Sequence, residues 1–589
     1  MTLERLETDI LILGSGGAGL FAALHALKAD PGLDVTIASK GLTGKCGCTR
    51  MVQGGYNVAL NPGDSVERHF MDTIEGGKWL PHQELAWTLV SRAVERVREL
   101  ENEIGCFFDR NPDGTLHGKA FAGQTFDRTV HKGDLTGIEI INRLMEQVWA
   151  RPIRRLEEHR AVALVPAKAG GISGALLIDV RTGALRFVAA QAVLLATGGG
   201  PTMYRYHTPS GDKSMDGLAM ALRAGLPLRD MEMVQFHPTG LLAGPDTRMT
   251  GTVLEEGLRG AGGHLLNGAM QRFMGDYDDK LERATRDVVS RAIDAEMRAG
   301  RTTPHGGVYI KMSHLGPANV ARQFKGMVDR CRDCGFDLAG GLVEVVPTAH
   351  YFMGGVICEA DTTTEWPGLF VAGEDASGMH GANRLGGNGV ANSTVFGGIA
   401  GDVMARFLAT HPGHRAPDED VLEAEVARAL EPFTRKGGNL NELREKLLDT
   451  MWNEVGVVRD AAGLARGLAA LDAIEAELMA TGVADDGRAF NLTWHDWLNL
   501  RSLTEVSRVI ALAALRRENS RGAHFRSDFP EPGDLATSRF TVARQTARGV
   551  EISDAPVAFT HVRPGETLLP PSLTLPRERG REGRGLAAE

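Results

Sequence analysis

Ile10-Leu11-Ile12-Leu13-Gly14-Ser15-Gly16-Gly17-Ala18-Gly19 runs from an apolar segment straight into a glycine turn, and an apolar, Ala-rich stretch with helical spacing follows it. The pattern predicts a strand, a tight turn and a helix N-terminus. The glycines answer separate physical demands: the first allows the turn, the second lets backbone approach a pyrophosphate, and the third lets helix pack on strand. Unpaired N–H groups at the helix start then face the phosphate. A glycine turn also caps ordinary buried strands, so the stretch alone does not decide the matter. Two further strand-to-glycine elements tip the reading toward a nucleotide: Leu194-Leu195-Ala196-Thr197-Gly198-Gly199 and Gly368-Leu369-Phe370-Val371-Ala372-Gly373-Glu374.

At 589 residues the chain is too long for one hydrophobic core, and roughly two to four domains are expected. Its 73 glycines suit a protein that threads backbone close to a cofactor in several places. A formal net charge of −10 counts against nucleic acid as the main partner, because phosphate backbones need a basic face. No uninterrupted apolar run reaches about 18 residues, so no transmembrane segment is expected. The first strand begins near residue 8, which leaves no room for a cleaved leader, and a cytoplasmic protein is the simplest expectation. Cys46, Cys48, Cys106, Cys331, Cys334 and Cys358 are too few for a disulfide scaffold. Cys331-Arg332-Asp333-Cys334 has the spacing of half a zinc site without a second half, so no metal is expected.

Three glycine elements in this order resemble the FAD-binding domain of two-dinucleotide-fold flavoproteins. Other phrases then become legible: Gln53-Gly54-Gly55, Asp134-Leu135-Thr136-Gly137, His237-Pro238-Thr239-Gly240, Arg286-Asp287-Val288-Val289-Ser290-Arg291, His350-Tyr351-Phe352-Met353-Gly354-Gly355 and His380-Gly381-Ala382-Asn383-Arg384-Leu385-Gly386-Gly387-Asn388. Together they resemble the flavoprotein subunits of succinate dehydrogenase and fumarate reductase, whose relatives include L-aspartate oxidase. The likeness continues through Met451-Trp452-Asn453-Glu454-Val455-Gly456 and Ser520-Arg521-Gly522-Ala523-His524. It implies an α/β architecture with a two-dinucleotide-fold FAD-binding domain in two parts, residues 1–238 and 350–405. An inserted α+β capping domain at 239–349 and a C-terminal helical domain at 416–535 complete it. Leu464, Leu468, Leu471, Ile474 and Leu478 carry the helical period of the last domain. Residues 563–589 mix Pro, Arg, Glu and Gly with little to bury, and a disordered tail is expected.

The resemblance also assigns a site. A small dicarboxylate that gains or loses hydride at flavin N5 needs cations for both carboxylates and a proton carrier opposite the ring. Arg384 can grip a carboxylate bidentately, and His237 and His350 can add charge-assisted bonds of about 1.5–3 kcal/mol each. Family positions equivalent to these three bind substrate. A lone histidine is more often a satisfied core residue, but two histidines and an arginine in matching phrases reverse that weighting. Arg286 falls at the family's catalytic arginine. With a pKa above about 12, a free arginine is a poor acid and needs a relay. Glu256 and Arg259 lie three apart, on one face of a helical turn, and match the relay positions, which gives Arg259, Glu256 and Arg286 as a proton path. A structural ion-pair cluster is the competing reading. Cofactor contacts are expected from Gly14, Gly16, Gly17 and Gly19, from Ser39 at the adenosine ribose, and from Gly54, Gly55, Thr197, Gly198, Glu374, Asn388 and Ser393.

Two departures from the family pattern shape these expectations. Many membrane-complex relatives attach FAD through a histidine in a Ser-His-Thr phrase before Gln-Gly-Gly. Here the phrase is Gly47-Cys48-Thr49-Arg50-Met51-Val52-Gln53, with Cys48 at the histidine position, and noncovalent FAD is expected. The family's Thr-Glu pair reads Glu255-Glu256. A glutamate about 4 Å from a substrate carboxylate would be repelled by roughly 4 kcal/mol at an effective dielectric near 20. Glu255 therefore turns away, is protonated, or binds a different substrate group such as an amine or hydroxyl. The leading expectation is an FAD-dependent oxidoreductase interconverting a small dicarboxylic acid and its unsaturated form. An L-aspartate oxidase-like enzyme and a catalytically altered electron-transfer flavoprotein are the alternatives. With no cluster ligands in the chain, an iron-sulfur partner subunit is expected to carry electrons and to provide the route to a peripheral place on the inner membrane.

Overall fold

The strand Glu4–Leu13 organises the molecule, whose computed structural model describes residues 3–244, 247 and 249–570. It sits in a seven-stranded sheet ordered Arg154–Leu156, Val35–Ala38, Glu4–Leu13, Leu185–Leu195, Ile172–Asp179 and His159–Pro166, with Leu369–Val371 also paired to Leu185–Leu195. Ile10, Leu11, Ile12 and Leu13 are buried, as befits a strand covered on both faces. Leu13 pairs in parallel with Ala38 on one side and Leu195 on the other, and Val371 pairs with Leu195. Four strands thus end at one sheet edge, at Gly14, Ser39, Ala196 and Ala372, where open α/β sheets hold ligands. The helix Gly17–Ala29 packs along Asn388–Thr410 with backbones in contact: a Cβ on Gly397 would sit 2.6 Å from the Ala18 carbonyl oxygen, and one on Gly401 2.3 Å from that of Ala22.

Strands Val234–Leu241, Leu342–Phe352, Val308–Lys311 and His264–Leu266 form a separate antiparallel sheet, flanked by the helices Arg286–Arg298, Pro317–Gln323 and Lys325–Asp333. This inserted region has its own core, including Leu241, Leu258, Leu265, Val289, Ile293 and Ile310. Its two long strands pair from Val234↔Phe352 to Leu241↔Val345. The division points expected at 238 and 350 therefore fall inside this ladder, and His237 and His350 are held on it.

Beyond the long helix lie Glu419–Leu430, Leu440–Glu454, Ala461–Ala480 and Leu492–Arg516. Asp418, Asn439, Asp460 and Asn491 cap their four N-termini with side-chain oxygens, which explains where each begins. Leu464, Leu471, Ile474 and Leu478 are buried and Leu468 is half-buried. An antiparallel pair, Arg539–Thr546 and Gly549–Pro556, was not foreseen; it joins Leu228–Arg229 and Gly355–Val356 in another sheet. The tail expected from 563 begins with packed residues, since Leu568 and Leu569 lie against the cluster of Phe70, Trp79 and Val90. Residues 571–589 lie outside the described residues. No described helix is long and apolar enough to cross a membrane.

Candidate active site

A cavity of about 340 Å³ opens at the shared sheet edge and extends under the inserted region. Gly14, Gly16, Gly17, Gly54, Gly55, Thr197 and Gly198 wall its first part. The residues fit a pyrophosphate-bearing cofactor by a steric test. A Cβ on Gly14, where φ is +119°, would stand 2.0 Å from the Ala196 carbonyl oxygen, and one on Gly19 2.0 Å from that of Gly14. A Cβ on Gly17 would meet the Ser393 hydroxyl at 2.8 Å, whereas one on Gly16 would meet nothing closer than Thr49 Oγ1 at 3.6 Å. Gly14 and Gly19 thus make the turn and the helix contact, and Gly16 faces the open space a phosphate needs. Gly19 itself is not on the cavity wall.

Ser39, Glu374 and Ser393 also line the cavity. Ser39 Oγ donates to the Gly41 carbonyl at 2.7 Å. Glu374 accepts from the Phe352 amide at 2.8 Å, and burial pushes its carboxyl up to about 7. Asn388, like Gly19, is an expected contact that the cavity wall does not include. Its amide is occupied within the fold, accepting from Asn57 Nδ2 at 2.8 Å, sharing a bond with His69 Nε2 at 2.9 Å and donating to Thr73 Oγ1 at 3.1 Å. Its position is off the wall, between the lining residues Gly387 and Gly389. Sequence reading missed Asp375, which accepts from the Thr197 amide at 2.5 Å and the Gly198 amide at 3.1 Å and so shapes that turn. It also missed Lys213, a lining residue that donates to the Thr197 carbonyl at 3.0 Å. Position after Gly373-Glu374 was the only signal for Asp375, and Lys213 had none.

Under the inserted region the wall changes from backbone to ionisable side chains. Glu256 Oε2 accepts from Arg286 Nε at 3.0 Å and Nη2 at 2.7 Å, and Gln235 Oε1 accepts from Nη1 at 3.0 Å. The short helix Gly257–Gly260 brings Arg259 behind them, its Nη2 3.5 Å from Glu256 Oε1 and its Nη1 donating to the Glu282 carbonyl at 2.7 Å. Arg259 is fully buried and does not reach the cavity. Burial alone would raise the Glu256 carboxyl, but Arg286 and then Arg259 outweigh it and hold the group below the usual carboxylate range. Gln235 was not singled out from the sequence; its Nε2 also donates to the Arg384 carbonyl at 2.8 Å, so it spans both arginines.

His237 and His350 face each other with ring centres 5.3 Å apart, lining the same cavity as Arg286 and Arg384. Burial, then the Arg286 guanidinium, pushes both imidazoles well below their ordinary pKa. Both are therefore neutral donors, and a bond from either N–H to an ionised substrate carboxylate stays charge-assisted through the acceptor. His237 Nδ1 accepts from the Thr239 amide at 3.3 Å, which leaves Nε2–H as its donor. His350 Nδ1 shares a bond with Thr208 Oγ1 at 2.8 Å. The Arg384 guanidinium lies over the Tyr351 ring at 4.3 Å, and burial followed by Arg286 lowers it to about 10. Glu255 lines this end too, with Lys119 Nζ 3.8 Å from its Oε2.

Strand ends gathered over a glycine cradle, with an inserted sheet that holds arginines and neutral histidines over the far end of one cavity, define a dinucleotide-fold flavoprotein oxidoreductase. The family described as "FAD binding domain" matches residues 9–390, and "Fumarate reductase flavoprotein C-term" matches 444–569. The chain is similar to the fumarate reductase flavoprotein subunit of Mycobacterium tuberculosis, at 34% identity over 584 residues, 95% of this chain and 99% of the relative. It is also similar to the fumarate reductase flavoprotein subunit of Escherichia coli, at 32% identity over 97% of this chain and 96% of the relative. A solved FrdA chain of E. coli quinol fumarate reductase superposes with a TM-score of 0.90, at 31% identity, over 96% of this chain and 99% of that one. This chain belongs to the succinate dehydrogenase/fumarate reductase flavoprotein family and is an FAD-dependent oxidoreductase of that type.

Membership overturns the expectation of noncovalent FAD, because flavoproteins of this family carry FAD attached covalently through a histidine. That expectation rested on one position. Cys48 does line the cavity, and burial pushes its thiol up to about 12. A thiol there says only that residue 48 is not a histidyl anchor. It says nothing of the imidazoles elsewhere on the wall, His159, His237 and His350.

Proposed function

We propose that this chain interconverts succinate and fumarate at the end of the cavity beneath the inserted sheet. One observation carries the reading: the buried series Arg259, Glu256 and Arg286 ends on a cavity shared with His237, His350 and Arg384. FAD supplies a two-electron hydride donor or acceptor at N5, and Gly14, Gly16, Gly17, Ser39, Gly54, Gly55, Thr197, Gly198, Glu374 and Ser393 are the residues we assign to holding it. Arg384 binds one substrate carboxylate, and the neutral His237 and His350 donate N–H bonds without adding charge. A guanidinium N–H of Arg286 gives the proton to the substrate carbon. Glu256, held ionised by its two arginines, is placed to return a proton to Arg286 from the Arg259 side. Two bonds to Glu256 and one to Gln235 fix the Arg286 plane, so little reorganisation is left for the reaction.

The reading includes an iron-sulfur partner for electron exchange. Met51 lines the cavity and is exposed, on a turn packed against the helix Thr136–Trp149, and the exposed Phe107 and Leu135 adjoin the same helix, which supports a docking face there. A cytoplasmic place, at the inner membrane only through partners, accompanies that arrangement. Glu255 favours a second reading, oxidation of aspartate, because a carboxylate suits an ammonium group. The test is stopped-flow reoxidation of dye-reduced holoenzyme. Fumarate is expected to accelerate flavin reoxidation; no response to fumarate, with peroxide formed from aspartate, would overturn the assignment.

A further inference from the structure

Glu255 and Glu256 are neighbours with opposite fates. Glu256 is bonded twice to Arg286, but Glu255 Oε2 has no hydrogen-bond partner among the described residues although its side chain is only 6% exposed. The charged groups around it come from three elements: Lys119 on the strand Gly118–Lys119, Arg330 on the helix Lys325–Asp333, and Asp134 ahead of the helix Thr136–Trp149. Neither cation comes within hydrogen-bond distance of it, and Lys119 forms only a long ion pair. Lys119 Nζ donates to the Gly133 carbonyl at 2.7 Å and stays 3.8 Å from Glu255. Arg330 Nη1 donates to the Val253 carbonyl at 2.8 Å, and with the Gln53 amide turned so that its oxygen faces Arg330, that oxygen accepts from Nη2 at 3.0 Å. Asp134 opposes a negative charge on Glu255. The carboxyl nevertheless opens on the cavity that holds Arg286, Arg384, His237 and His350.

We propose that Glu255 is a specificity-determining residue that meets the substrate as a neutral carboxylic acid, so that each dicarboxylate binds together with one proton. The proposal rests on the dicarboxylate reading of this cavity. A substrate carboxylate in that space raises the cost of keeping Glu255 ionised, and the ion pair to Lys119 at 3.8 Å offsets that cost only in part. Protonation resolves the conflict: the Glu255 O–H donates to a substrate carboxylate oxygen, a short charge-assisted bond, and gives the unpaired Oε2 a partner. No covalent bond forms or breaks; the proton stays on Glu255 and returns to solvent when ligand leaves. Burial moves the Glu255 carboxyl above the usual range before ligand arrives, and a bound anion moves it further in the same direction. Glu256 is not the proton acceptor, because its arginines hold it ionised, and the depressed imidazoles of His237 and His350 are the rival sites for uptake.

Calorimetry of the oxidised holoenzyme with fumarate, in buffers of different ionisation heat from about pH 6 to about pH 9, counts the protons taken up. Wild type is expected to take up close to one proton per fumarate at the alkaline end, with Kd rising up to tenfold per pH unit there. Glu255→Gln, which keeps shape and a donor, is expected to bind fumarate with no uptake and a flat pH dependence; its visible flavin spectrum reports an intact fold. Fumarate binding to wild type without uptake, or uptake that persists in Glu255→Gln, overturns the proposal. Aspartate binding that strengthens as pH rises also overturns it, in favour of an ionised Glu255 facing ammonium. If no fumarate binds at any pH, the dicarboxylate reading itself falls, and this inference with it.

Discussion

At the sheet edge the cavity is walled by backbone, whereas under the inserted sheet it is walled by charge. Gly14 leaves no room for a methyl group against the Ala196 backbone, one on Gly17 would displace the Ser393 hydroxyl, and nothing ionisable on those glycines sets the fit. Charge and burial act together on Glu256, His237 and His350 instead: burial, reinforced by the nearby guanidiniums, keeps the imidazoles neutral, and Glu256 stays ionised because arginines flank it. The first region is sensitive above all to added atoms, although Glu374 at about 7 gives it one carboxyl that titrates near neutrality. Changes of charge at constant shape are what the second region registers. The two kinds of variant should therefore fail in different assays, one losing cofactor and the other losing turnover with cofactor in place.

The largest effect belongs to Gly14→Ala. Its new Cβ would overlap the Ala196 carbonyl oxygen at 2.0 Å, at a φ of +119° that L side chains rarely adopt, so the backbone of the turn itself must shift. The expected product has almost no flavin, read as the ratio of visible to ultraviolet absorbance after purification. A fully loaded Gly14→Ala protein would break the comparison at its steric end. Arg286→Gln comes next. It keeps most of the side-chain volume but removes the transferable proton, and turnover with fumarate should fall by about 10²–10⁴, the usual worth of a positioned acid. Flavin content should be unchanged, and wild-type turnover in this variant would remove Arg286 from the proton path.

How legible this was depended on the range over which each feature is built. The glycine cradle is local: ten consecutive residues set strand, turn and helix, so the sequence showed it directly. Glu256 and Arg259 are three apart, and one helical turn was enough to place them together. Asp375 reaches Thr197 across 178 positions, and nothing near either residue announces that bond. Asn388 illustrates the converse, since its phrase matched while Asn57, His69 and Thr73 turned its amide away from the cavity. The hairpin Arg539–Pro556 was missed because Thr541 and Ala543 are its buried residues in the first strand, a polar and a small side chain that give no apolar alternation. Histidine identity was readable at 237 and 350, but their neutral state was not, because it arises from burial in the assembled cavity and then from guanidiniums distant in sequence.

Gln235 supplies the smallest and finest discrimination between the two ends. It lies on the strand Val234–Leu241, accepts one bond from Arg286 Nη1 at 3.0 Å, and ties itself through Nε2 to Asn383 Oδ1 at 2.9 Å and the Arg384 carbonyl at 2.8 Å. It is therefore a positioning residue that sets the spacing of the proton donor and the carboxylate clamp. Gln235→Ala leaves Glu256 to hold Arg286 alone, so the guanidinium keeps its charge but loses one of three fixed bonds. A hydrogen bond to a charged group is worth about 1.5–3 kcal/mol, which converts to a loss of roughly 10- to 100-fold if it is felt only in the transition state. We expect the loss at the lower end, because two bonds remain, and mainly in kcat, because Arg384 still holds substrate through its own guanidinium. Flavin content and its visible spectrum should match wild type. A KM effect with kcat intact would instead mean that Gln235 acts through the clamp and not through the proton donor, which would leave charge at this end of the cavity but move its control from Arg286 to Arg384.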